Sequence, residues 1–160
     1  MRVLKILFIL AAGLYGIAGA FHRPVFGYLS GTDLLFHEAG HLFFSPFGER
    51  ISIWGGTLTQ LLIPSGIMIA FLWKRQPYSA SVMGCWIGQN FFSISDYIKD
   101  ARAQVLPYVG GEIHDWAYIL GHWRLLEKDQ EIGNAVWFLG LATFLVCASW
   151  GFSCARRDAS

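Results

Sequence analysis

The chain has 160 residues, room for one compact domain and not comfortably for two. Apolar residues make up 54% of it and charged residues 14%, against roughly 25% charged in an ordinary soluble domain. A net charge of +1 gives no reason to propose nucleic acid as a partner, while seven tryptophans and thirteen phenylalanines among long charge-free runs point to lipid as the solvent.

Residues 3–21 are the first of four stretches long enough to cross a bilayer, which takes about 20 apolar residues. Lys5 is the one charge in this stretch, near its start. Arg2, Lys5, the apolar run and a small-residue "AGA" also resemble a cleavable signal peptide; the length favours a retained anchor. Next comes "SGTDLLFHEAGHLFFSPFG", residues 30–48. Ser30 with Asp33 makes a capping-box-like start, and Ser45-Pro46 with Gly48 supplies a stop. A helix over 32–45 would be about 21 Å long, short of a hydrocarbon core of about 30 Å, so it reads as half-inserted or interfacial.

The second crossing stretch, 51–73, is uncharged, and the third, 78–98, carries Gln89, Asn90 and Asp96. Gly55-Gly56 and Gly66 read as close helix packing; Gln60, Gln89 and Asn90 either hydrogen-bond between helices, the simpler reading, or line a polar route to the site. A polar stretch follows, with a turn at Pro107 and Gly110-Gly111. Trp116, Ile119, Leu120, Trp123 and Leu126 then recur at helical spacing, predicting an amphipathic helix over 115–128 on the outer membrane surface. The fourth stretch, 132–154, is uncharged. Cys85, Cys147 and Cys154 lie in apolar runs without a CxxC and read as small hydrophobes.

The expected fold is therefore all-α: a single multi-span integral membrane domain over 1–160, with four transmembrane helices, a half-inserted helix and an interfacial one. Basic residues set its orientation. With the N-terminus inside, Arg2, Lys5, Lys74, Arg75, Arg156 and Arg157 against Asp158 give the cytoplasmic side +5 and the other side −4. Both termini are expected in the cytoplasm, and residues 36–41 towards the outer face. The sequence carries no signal for an oligomeric state.

Two histidines and a glutamate inside "FHEAGHLFF" are costly in so apolar a segment unless paired. Each alone has a bland role, a satisfied core histidine or an interfacial salt-bridge partner. Together they form HExxH: His37, Glu38 and His41. Helical residues four apart lie one above the other, so both imidazoles can reach one tetrahedral zinc ion at about 2.0–2.1 Å. Glu38 then lies beside the metal, placed to take a proton from a water and pass it to a leaving group. Zinc lowers the pKa of that water from 15.7 to about 7.

"FHEAGH" in a small multi-span chain resembles the membrane-embedded zinc metalloproteases of the site-2 protease type. The resemblance covers the motif helix and the multi-span character. It implies His37 and His41 as metal ligands, Glu38 as general base, and a peptide bond of a membrane protein or membrane-proximal peptide as substrate. The family takes its third ligand from an aspartate on a later span, in an Asn-Pro-Asp-Gly-like or Leu-Asp-Gly setting that does not occur here. The family also places its site towards the cytoplasm, opposite to the charge count.

The third ligand is open. Asp115 has an immediate role as N-cap of the 115–128 helix, whereas His114 has none so obvious and would complete a three-histidine site. Asp96 and Asp100 lie four apart on one helical face, with Lys99 or Arg102 as ion-pair partners. The order of candidates is His114, then Asp115, then Asp100. His22 and His122 read as interfacial. The leading function is metal-assisted hydrolysis, for which lipid-linked amides or esters would serve as well as peptides. The alternatives are a non-enzymatic metal-binding membrane protein and a scaffold with a degenerate motif.

Overall fold

The computed structural model describes residues 2–21, 28–106 and 113–157. His22, the turn at Pro107 and Gly110-Gly111, and Asp158 lie outside them. Six α-helices occur among the described residues, and no strand: α1 (Arg2–Phe21), α2 (Tyr28–Phe44), α3 (Glu49–Trp73), α4 (Pro77–Lys99), α5 (Asp115–His122) and α6 (Asp129–Arg157).

Among the described residues three segments are long and apolar enough to cross a membrane: α1, α3, and residues 126–157 including α6. Large side chains on them face outward, Leu14 at 72% exposure and Val146 at 67%, which suits an apolar solvent rather than water. α4 differs. Its 23 residues would span roughly 34 Å, but it is less apolar and lies at the centre, packed against α1, α3 and α6. Its polar Ser81, Gln89, Asn90 and Ser95 are buried. Two apolar clusters flank it, one of Ile53, Ile94, Ile98, Trp116, Ile119 and Leu120, the other of Ile9, Cys85, Phe92, Phe144 and Cys147.

α2 begins four residues before the expected position 32 and ends at Phe44, where Pro46 enters a short 3-10 turn over Ser45–Phe47. α3 and α5 end alike. Arg75 (φ 54°) and Arg124 (φ 56°) take the left-handed conformation. The following amides reach back five residues, Gln76 N–H to the Phe71 carbonyl and Leu125 N–H to the Leu120 carbonyl, which is a Schellman stop. Pro77 then opens α4, a position where its missing N–H costs nothing.

The second stop corrects the expected helix over 115–128. The chain turns at Arg124, forms a 3-10 turn over Leu126–Lys128, and enters α6 at Asp129. The apolar stripe expected on the membrane surface faces the protein instead. Trp116, Ile119 and Leu120 are buried against Ile53, Ile94 and Ile98, and Trp123 stays exposed.

Candidate metal centre

The centre is built where α2 crosses α3 and where the chain returns at the start of α5. Gly40 and Gly55 let the two helices meet. A Cβ on Gly55 would come within 2.6 Å of the Gly40 carbonyl oxygen. Gly56 follows, and a Cβ there would lie 2.7 Å from Nε2 of both His37 and His41. The missing side chain is what gives the two imidazoles their space.

Both rings are oriented by carbonyl groups of α3. His41 Nδ1 donates to the Ser52 backbone oxygen at 2.8 Å, and His37 Nδ1 lies 3.4 Å from Gln60 Oε1. A carbonyl oxygen only accepts, so both contacts suit a proton on Nδ1, and a ring in that neutral tautomer turns its Nε2 lone pair inward. There they meet Asp115 Oδ2, 2.8 Å from His37 Nε2 and 3.1 Å from His41 Nε2. Three electron-pair donors aimed at one point repel one another unless a proton or a cation lies among them.

Protons on the imidazoles can fill that role. The hydrogen bond to Asp115 raises the His41 pKa against the opposing effect of burial. Burial pushes the Asp115 carboxyl up, but the hydrogen bonds from His37 and His41 outweigh it and hold the pKa below the usual value. The residues also fit a metal. One ligand atom from each of His37, His41 and Asp115 lies within 4.8 Å of the others, and His37 and Asp115 are buried. Two imidazole nitrogens and one carboxylate oxygen form a zinc donor set with a fourth position open. Ring orientation by carbonyls of Gln60 and Ser52 is the supporting shell that metal-bound histidines generally have.

His114 and Asp100 play other parts. His114 is the N-cap of α5, its Nδ1 accepting from the Ala117 amide at 3.2 Å. Its ring stacks on Tyr97 with centroids 4.2 Å apart, and its Nε2 faces Asp100 Oδ2 at 3.4 Å. Burial lowers its pKa. Asp100 accepts from the Val105 and Leu106 amides at 3.0 and 3.1 Å, and Arg102 pairs with Asp129 and Glu127 rather than with it. Among the three candidates it is thus Asp115, not His114 or Asp100, that the structure brings to His37 and His41. The capping imidazole folds back along its own helix, and the next residue, Asp115, projects from the first turn towards α2. Tyr97 steadies that residue by accepting the Asp115 N–H at 3.2 Å.

Glu38 is half-buried next to this cluster, without a hydrogen bond or ion pair to a described residue, and its charge adds to the upward shift of His41. Sequence reasoning passed over Gly56 and Ser52 as parts of the site, and gave Gln60 only as lining for a polar route to it. The four-residue spacing of Gly56 and Gln60 was the available signal, since it puts both on one face. No protein-family model, curated protein or solved structure matches the chain.

Proposed function

We propose that the protein is a multi-span membrane hydrolase of the site-2 protease type, which holds one zinc ion on His37, His41 and Asp115 and cleaves a peptide bond in a membrane or membrane-proximal substrate. The observation that carries this reading is the convergence of the three ligand atoms within 4.8 Å, with Glu38 next to His37 in the chain and near enough for its charge to bear on His41. When bound, zinc supplies the Lewis acidity that polarises a carbonyl and eases deprotonation of water. The chain's residues do the rest. Gln60 and Ser52 hold the two imidazoles in the tautomer whose Nε2 is free to ligate. Glu38 takes the proton from water and returns it to the leaving amine, which is general base then general acid catalysis. Glu38 favours this over a non-enzymatic metal site, because structural binding has no use for a carboxylate that pairs with no described residue in so apolar a helix.

In this reading α4 is a fourth span, running antiparallel to α3 after the tight turn at Lys74–Gln76 and screened from lipid by its neighbours. The split of +5 against −4 supports cytoplasmic termini, with α2 entering the bilayer from the outer side. Gly56 lies seven residues into α3, so the centre would sit roughly 10 Å from the outer end of that helix.

The direct test is metal content by elemental mass spectrometry on protein purified without chelators. About one zinc per chain is expected, lost in His37→Ala and in His41→Ala. Metal-free wild-type protein, with both variants unchanged in stability, would refute the proposal.

A further inference from the structure

A cavity of about 190 Å³ opens beside the first turns of α3 and the last turn of α5, lined by Arg50, Trp54, Tyr118, Ile119, His122 and Trp123. One wall is aromatic and fixed. The Trp54 ring lies 5.5 Å from Trp123 and 5.6 Å edge-on from Trp116, which is itself buried in the core. The other wall is cationic or donating. Arg50 and His122 are exposed, and neither makes an ion pair with a described residue. Among the described residues no carboxylate lines the cavity.

A guanidinium fork beside an imidazole and a phenol matches the oxygens of a phosphate group. Indole faces next to it match the carbons that adjoin a lipid phosphate, at the depth where tryptophan collects in membrane proteins. Arg50 opens a helix that is long and apolar enough to cross a bilayer, which puts the cavity at the level of headgroups. A choline group would be repelled by Arg50 and finds no counter-charge among the lining residues. We propose that this cavity binds the phosphate headgroup of an anionic phospholipid. The inference rests on the membrane setting of α3 and is independent of hydrolysis at His37, His41 and Asp115.

The test is native mass spectrometry of the detergent-solubilised protein titrated with phosphatidylglycerol and, separately, phosphatidylcholine. Wild-type protein should retain one phosphatidylglycerol through washing, with a preference of about tenfold over phosphatidylcholine, as expected for a charge-assisted contact. Arg50→Gln with His122→Gln should abolish the preference while circular dichroism stays helical. Should the double variant fail to fold, Arg50→Gln alone alters one exposed side chain and carries the same expectation. Equal retention of both lipids by wild type, or an unchanged preference in the folded variant, would overturn the proposal. Displacement of the lipid by millimolar inorganic phosphate would overturn it too, in favour of a soluble phosphate ligand.

Discussion

Gly56 faces His41 at a distance that admits no side chain: a Cβ on the glycine would stand 2.7 Å from the imidazole Nε2, the atom aimed at Asp115. The same Cβ would meet His37 Nε2 equally closely. Gly56→Ala should therefore displace both rings or part α2 from α3. We expect zinc affinity to fall at least tenfold, with helical content kept. Isothermal titration with zinc measures it, and unchanged affinity would show that the rings need no such clearance.

Asp115 and His114 separate ligand from cap. Asp115→Ala should lose the metal. His114→Asn keeps a side chain that caps well, so it should retain zinc. His114→Leu removes the cap and should lower stability by about 1 kcal/mol, again with zinc bound. Metal content and thermal midpoints of the three variants provide the check; zinc lost from His114→Asn and kept by Asp115→Ala would restore the three-histidine site.

Gln60→Leu keeps the size of the side chain but removes the oxygen that faces His37 Nδ1 at 3.4 Å. Loss of such an outer partner typically costs about 10–100-fold in metal affinity. The competition of zinc with a chelator of known affinity reads this directly. A change under twofold would mean that packing alone orients the His37 ring.

These predictions show what could be read from residues and what could not. The helices were legible because long apolar runs and turn residues mark them, and His37 and His41 because a four-residue spacing needs no tertiary structure to put them together. α4 was legible as a helix, while its place at the centre depends on which neighbours cover Gln89 and Asn90. The residue that meets His37 and His41 was not legible. His114 and Asp115 are adjacent in sequence, and which one caps α5 decides which one reaches α2. That choice is made by Tyr97 and Asp100, residues from the end of α4 that hold the ring and the loop. The short α5 was hidden for a similar reason, since an arginine at φ 56° stops the helix where glycine is the usual marker.

The proposed orientation rests on the positions of Arg75 and the C-terminal arginines. Reporter fusions after Arg75 and after Arg157 should register as cytoplasmic, and one at Gln104 as external. An internal reporter at Gln104 would invert the arrangement and move the metal centre to the cytoplasmic half.

The central claim turns on Glu38, and one paired measurement tests it most directly. Wild-type and Glu38→Gln proteins, reconstituted in liposomes with zinc, are given a pool of peptides from membrane-protein spans and loops. Cleavage products and bound zinc are quantified on the same samples. Glu38→Gln keeps the size and reach of the side chain but cannot accept the proton. The account predicts equal zinc in both and product formation lowered by about 10²–10⁴-fold. Undiminished cleavage by a zinc-loaded Glu38→Gln protein would contradict it.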